Sequence, residues 1–347
     1  MKRRTQRIIC FLLVMLMLPF PAKAVNAGME GSELAQVHIT VTQEGVSGVT
    51  LTKPQGYVTA TIEIVDPSGE NETLLDEGAT IKVRGNTTAL GAKRPYNVKL
   101  SSKQDVLGMG KGKKWCLLAN MYDKSLMRNR MAFDFARALG MQYIPDCRMV
   151  DVWIDGQYRG NYLLCEPVEA KENRVEIDPE NGDYLLEREA SRYEEGATYI
   201  VTNRYGLRFV MGEPEELTPE QKTDLMSKLD QVETAIATKN LETIRKYIDV
   251  QSFVDMYIVE EFFKNVDADY SSVRFYFKDG ILYAGPVWDY DLSSGNCSNT
   301  DYYNYNNLGG SGKSSEGFYA DNSIWYRYLF QCEAFKTLVK QRYVEVQ

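Results

Sequence analysis

The sequence predicts an α+β protein in two lobes: β-rich over about residues 37–166 with one inserted helix, and mainly helical over about 167–347. Three observations carry the prediction. Apolar residues alternate with period two through the first half, capped stretches with helical apolar spacing mark the second, and Asp-Gly pairs supply hairpin turns in both. The chain has 347 residues, 44% of them hydrophobic and 25% charged, the composition of an ordinary folded globule.

The first two dozen residues read as an export signal, with Lys2, Arg3, Arg4 and Arg7 ahead of an apolar run and Ala22-Lys23-Ala24 as the cleavage site. That run is short for a transmembrane helix. Beyond residue 24 the expected mature domain begins. Alternation over 58–65, a turn at Asp66-Pro67-Ser68-Gly69, and further strands over 80–83 and 96–100 follow. A basic, glycine-rich link over 108–114 leads to a strand over 115–119. Asp123 is placed to cap a helix over about 124–139, whose apolar side includes Leu126, Met131, Phe135 and Leu139 and whose stop is Gly140. Strands over 149–154 and 158–165 are joined by Asp155-Gly156. Thr218-Pro219-Glu220-Gln221 then combines an N-cap, a proline at the first helical position and a capping-box partner. Further helices are expected over about 252–264 and 324–343. A hairpin over 273–283 turns at Asp279-Gly280, and a polar Gly/Ser/Asn/Tyr-rich loop covers 293–322.

Composition excludes several chemistries. The only histidine, His38, lies in an alternating strand pattern, so multi-histidine zinc sites cannot exist and a Ser-His or Cys-His site would have to be built on a strand residue. The formal charge is −8 and becomes −13 once residues 1–24, with five basic residues and no acids, are removed. So acidic a surface argues against nucleic acid as a partner. The five remaining cysteines show no CxxC spacing and are odd in number, and buried free thiols are the expectation.

The remaining chemistry falls to carboxylates, Lys/Arg and a metal. Asp267 and Asp289 stand 22 residues apart, each at the end of a regular element, with a hairpin between them that returns both to one end. Phosphoryl transfer asks for such a pair, one carboxylate to take the acceptor's proton and another to hold the charge-neutralising metal. Arg84-Gly85-Asn86-Thr87-Thr88 offers a small, amide-rich loop, and Lys99 projects from a following strand; exposed N–H groups and cations suit phosphate oxygens.

Five co-linear blocks resemble the CotH kinase family: IKVRGNTTALGAKRPYNVKL (81–100), KWCLLANMYDKSLMRNRMAFDFARALG (114–140), VDVWIDGQYRGNYLLCEPVE (150–169), FVDMYIVEEFFKNVDADYSS (253–272) and AGPVWDYDLSSGN (284–296). The resemblance implies a two-lobed atypical protein-kinase-like fold that uses ATP and Mg²⁺ or Mn²⁺ to phosphorylate Ser or Thr of a secreted or surface protein. By the same resemblance Asp267 is the catalytic base, with Asp269 as its competitor. Asp289 holds the metal with a second contact from Asp291, Lys99 meets ATP phosphates, Arg84 and Asn86 lie in the loop over the nucleotide, and Glu166 lies near the adenine. Asp123 and Arg128 match the start of the family's helix, with capping and phosphate contact as alternatives. The competing readings are a non-catalytic module of a coat or cell-surface assembly on the same fold, and a transferase moving another part of ATP.

Overall fold

The computed structural model describes residues 33–190, 193, 196–296, 317–321 and 323–347, of which Leu34–Gln347 belong to one unit. The export signal and most of the polar loop, 297–316, lie outside the described residues.

Seven strands close into a barrel: β1 (Ala35–Val41), β2 (Val58–Val65), β3 (Leu74–Val83), β4 (Tyr96–Asp105), β5 (Lys111–Leu118), β6 (Cys147–Ile154) and β7 (Gln157–Cys165), in the order β1-β2-β3-β4-β5-β7-β6. The parallel pairing of β1 with β6 completes the ring. Period-two alternation sends Val58, Ala60, Ile62, Ile81, Val83, Val98, Trp115, Leu117, Val152 and Leu164 inward, and these form the barrel's own core. His38 faces outward and stacks on Trp153 with ring centroids 4.7 Å apart, as a strand residue should. Asp155 and Gly156 both adopt the left-handed region, at φ 48° and 73°, which a tight two-residue hairpin demands. The Asp155 carboxylate also accepts from the Val41 and Gly48 N–H groups, fixing the end of β1.

The inserted helix α1 (Arg128–Ala138) starts later than its sequence pattern suggests. Asp123 curls the chain first: its carboxylate accepts from the Ser125 N–H at 2.9 Å and hydroxyl at 2.6 Å, and Leu126 takes φ 61°. The helix begins where Arg128 donates its own N–H to Asp123, at 2.8 Å.

The second half corrects the expected architecture. It is no helical kinase lobe, for a second sheet runs through it: β8 (Tyr184–Glu189), β9 (Tyr199–Val201), β10 (Arg208–Glu213), β11 (Ser271–Lys278) and β12 (Ile281–Ala284), ordered β12-β11-β8-β10-β9. The protein is therefore β-rich throughout, with six helices among the described residues. After α1 these are α2 (Pro219–Ala237), α3 (Leu241–Ile244), α4 (Val250–Phe263), α5 (Tyr326–Leu329) and α6 (Glu333–Glu345). β8 escapes a period-two reading because it is central and buried on both faces, Arg188 and Glu189 included. Arg188 is accommodated there by donating to the Asp269 and Arg208 carbonyls, both at 3.0 Å.

The cap of α2 falls where the sequence puts it. Thr218 and Gln221 make the reciprocal capping box of α2, and Asp249 caps α4 by accepting from the Ser252 N–H at 2.7 Å. α4 is apolar nearly all round because it is enclosed by α1, α6 and β12. The single helix expected over 324–343 is instead two, since Cys332 is extended between α5 and α6. No helix of the described residues is long and apolar enough to cross a membrane.

Candidate functional site

The loop after β12 carries Asp289 and Asp291, and α1 holds it. The Tyr290 N–H, between the two aspartates, donates to Asn129 Oδ1 at 2.6 Å; Asn129 Nδ2 donates to Asn120 Oδ1 at 2.9 Å; and Asn120 donates on to the Leu126 carbonyl. Immediately before Asn129, Arg128 is ion-paired with the fully buried Asp123 and donates from Nε to the Ser293 carbonyl at 3.0 Å. Asp123 and Arg128 thus tie the helix start to the aspartate loop. Asn129→Ala would leave the buried Tyr290 N–H and Asn120 oxygen unmatched, and about 1–3 kcal/mol of stability should be lost. A lowered midpoint in urea unfolding checks it.

Across from this loop stands Arg84, at the end of β3. Arg84, Gly85, Asn120, Asn129, Asp289 and Asp291 all line one narrow cleft of about 70 Å³. That volume suits an ion and a phosphate oxygen, and not a purine. Gly85 has φ 81°, and a Cβ there would run into Thr88 Oγ1, so glycine is required for this turn. Burial works against the Arg84 charge, but Cys116, Cys165, Asp289 and Glu187 outweigh it and raise its pKa. Its buried Nη1 has no hydrogen-bond partner. The guanidinium lies 5.2 Å from the Trp288 ring centroid, and that of Arg274, which is ion-paired with Glu187, lies 5.6 Å from it.

Asp291 is buried, and burial pushes its carboxyl well above the usual range, with the charges of Asp289, Asp267 and Asp123 adding to the effect. Asp289 and Asp291 line the cleft and Asp267 does not, though its charge is felt at Asp291. Asp267 follows the left-handed Lys264 that ends α4, and its N–H donates to Asn265 Oδ1. Asp269 is engaged elsewhere: its Oδ1 accepts from the Ile324 N–H at 2.8 Å and lies 3.5 Å from Arg188 Nη2. Ser272, also left-handed at φ 65°, donates to Asp289 Oδ2 at 3.0 Å. An irregularity in the β8–β11 pairing between Ser271 and Arg274 turns Ser272 toward the cleft. It stands five residues after Asp267, where a kinase catalytic loop carries a metal-binding Asn, so that spacing was the readable signal for it. Asn129, Asn120 and Arg274 carried no comparable signal.

Glu260 underpins both aspartate segments. It is buried on α4 and accepts from Tyr290 Oη at 2.9 Å. Burial, together with Glu261 and Asp267, raises its pKa to about 8 against the hydrogen bonds of Tyr290 and Asn265. The unfolded chain releases this proton near 4.5, so the folded chain binds more protons between the two values and stability should fall as pH rises from about 4.5 to about 8. Glu260→Gln is expected to flatten that slope in urea titrations across this range. An unchanged slope would assign it to another group.

The other sequence-predicted residues lie outside this cleft. Asn86 is exposed and its Oδ1 accepts from Lys53 at 3.0 Å. Lys99 projects from the outer face of β4, its Nζ 6.0 Å from the Tyr57 ring centroid, with Lys82 Nζ 4.7 Å from the same ring. Arg84 is hydrogen-bonded to Pro95, four positions before Lys99, which sets the two backbones about 13 Å apart along the sheet. Glu166 lines a separate cavity of about 660 Å³, accepts from the Asp146 N–H at 3.0 Å, and lies 3.6 Å from Arg174.

Among the described residues no three His, Cys, Asp or Glu side chains form a ready-made metal cage. The donor set still fits a hard divalent cation of the magnesium type, which is commonly held by one or two carboxylates with phosphate oxygens and water completing the shell. The accumulation of negative charge around buried Asp291 is what such an ion would relieve. A barrel and a sheet that enclose a carboxylate cleft facing an arginine define a protein with a candidate phosphate-handling site. The CotH kinase protein family matches over residues 81–347, most of the chain, and the chain belongs to that family. Among curated proteins none matches the sequence. Family membership supports a kinase-like function.

Proposed function

We propose that this protein transfers the γ-phosphoryl group of ATP to a Ser or Thr hydroxyl of a secreted or surface protein, aided by Mg²⁺ or Mn²⁺. The single observation that carries the reading is the shared cleft, in which Arg84 faces Asp289 and Asp291 while the charge of Asp267 is felt at Asp291. Asp289 and Asp291 hold the metal, whose chemistry when bound is to neutralise charge on the phosphates. Ser272 fixes the Asp289 carboxylate. Arg84 binds phosphate oxygens through its unpartnered Nη1. Asp267 accepts the proton of the attacking hydroxyl, a role closed to Asp269 while that residue holds Ile324 and Arg188. The cleft is too small for the nucleoside, which lies outward along β3 and β4, where Tyr57 stands with Lys82 and Lys99. The leader over residues 1–24 exports the chain to its substrate.

Incubation with α- or γ-labelled ATP and either metal tests the reading. Label moving to protein from the γ position alone is the expected result. Transfer from α would make it a nucleotidyl transferase, and binding without transfer would make it a non-catalytic module.

A further inference from the structure

Two guanidinium groups lie over one indole. Arg84 and Arg274 each place Cζ within 6 Å of the Trp288 ring centroid, at 5.2 and 5.6 Å. Arg84 and Trp288 line the cleft and Arg274 does not. The partners of the two cations differ. Arg274 on β11 is directly opposite Glu187 on β8, and its Nη2 lies 2.9 Å from Glu187 Oε2, with both side chains largely buried. Arg84 belongs to no ion pair among the described residues, and its Nη1 is buried without a hydrogen-bond partner. A guanidinium that is to receive a phosphate must be spared such pairing, because a carboxylate occupies the same bidentate face. Glu187 is the carboxylate placed to compete. Its charge is felt at Arg84, and while burial raises the Glu187 pKa, Arg274 opposes that rise more than Arg84 does. Arg274 also anchors the aspartate loop, since its carbonyl accepts from the Gly285 N–H at 2.8 Å, and Trp288 directly precedes the left-handed Asp289.

We propose that Arg274 is a positioning residue for phosphate binding, which engages Glu187 and so keeps Arg84 open to phosphate oxygens. The proposal rests on the reading of Arg84 as the phosphate-binding cation. Strand register fixes the Arg274–Glu187 pair, so the sheet itself decides which of the two guanidinia is neutralised. Without Arg274 the Glu187 carboxylate is buried and unpaired, a costly state, and Arg84 is there to relieve it. An incoming phosphate must then compete with Glu187 for Arg84. Removing Glu187 as well takes the competitor away and restores the open guanidinium.

The test titrates inorganic pyrophosphate, without metal and at one low salt concentration, into the full chain and its variants, with a melting curve for each. Arg274→Gln should bind about tenfold or more weaker than wild type. Arg274→Lys keeps a positive charge beside Glu187 and should stay within about threefold of wild type. Arg274→Gln combined with Glu187→Gln should recover to within about threefold as well, and Glu187→Gln alone should bind at least as tightly as wild type. A pair that serves structure alone gives the opposite pattern, for the double variant lacks both halves and would bind no better than Arg274→Gln. Should Arg274→Gln fail to fold, the double variant still decides, because the proposal requires it to bind like wild type. Arg84→Ala separates the two claims. If it loses binding while Arg274→Gln keeps wild-type affinity, or while the double variant stays weak, the proposal falls and Arg84 retains its role. Equal binding by Arg84→Ala and wild type, including none by either, removes the phosphate reading of Arg84 and the proposal with it.

Discussion

Asp267→Asn is expected to lower phosphoryl transfer about 10²–10⁴-fold, the contribution typical of a positioned general base, while ATP and metal binding stay close to wild type. The substitution keeps the side chain's size and removes its proton affinity. The backbone contacts that shape the segment, from Asp267 N–H to Asn265 and from Tyr270 N–H to the Asp267 carbonyl, do not depend on the carboxylate. One less negative charge also lies near Asp291 and Glu260, so the variant should be at least as stable as wild type. Loss of transfer without loss of folding is therefore the signature. Asp269→Ala should behave in the opposite sense. It frees the Ile324 N–H and leaves Arg188 without its ion pair, so stability falls by about 1–3 kcal/mol while transfer in the folded fraction persists. Single-turnover transfer and urea midpoints on both variants check the pair. Equal transfer by wild type and Asp267→Asn would sink the base assignment.

Strands of the barrel were legible because they have one face inside and one outside, so Val58 to Val65 and the Asp155-Gly156 hairpin announce themselves, whereas the closure of the ring by the parallel β1–β6 pairing was not. Of the second sheet only the β11–β12 hairpin at Asp279-Gly280 was legible. β8 lies in the sheet's middle with both faces covered, and its polar residues are buried with partners, so neither alternation nor polarity exposes it as a strand. β9 is only three residues long. With those strands unread, the capped helices dominated the second half and suggested a helical lobe. The site divides in the same way. Asp289 and Asp291 sit in a turn between elements that the sequence marks clearly, and their meeting with Arg84 follows from two segments folding back on one another. Asn129 shows no such mark: it reads as an ordinary helix residue, and only the tertiary contact with Tyr290 gives it a function. Lys99 illustrates the converse, for alternation correctly puts it on the outer face of its strand, but its distance along the sheet from Arg84 is not a local property.

Asp289→Ala should abolish metal-dependent ATP binding, while metal-free binding of ATP is retained or slightly strengthened. Asp289 is both a carboxylate donor of the cleft and one of the acid groups that surround Arg84. Its removal takes away a ligand and leaves the Arg84 charge less compensated, so the two effects have opposite signs on an anionic ligand. Ser272→Ala acts one step further out, through the 3.0 Å hydrogen bond that orients Asp289, and should weaken metal affinity by about 10–100-fold. Asp289→Ala must exceed that loss. The order is the discriminating result, because general unfolding would depress metal-free binding as well and would not rank the two variants. Calorimetric titration of Mg²⁺ or Mn²⁺ with a non-hydrolysable ATP analogue, beside a melting curve for each protein, measures all of these quantities. Undiminished metal dependence in folded Asp289→Ala would move the metal away from this loop. It would also leave the charge accumulated around buried Asp291 without the neutralising role assigned here, since the cation facing it across the cleft is Arg84 alone among the residues that line it.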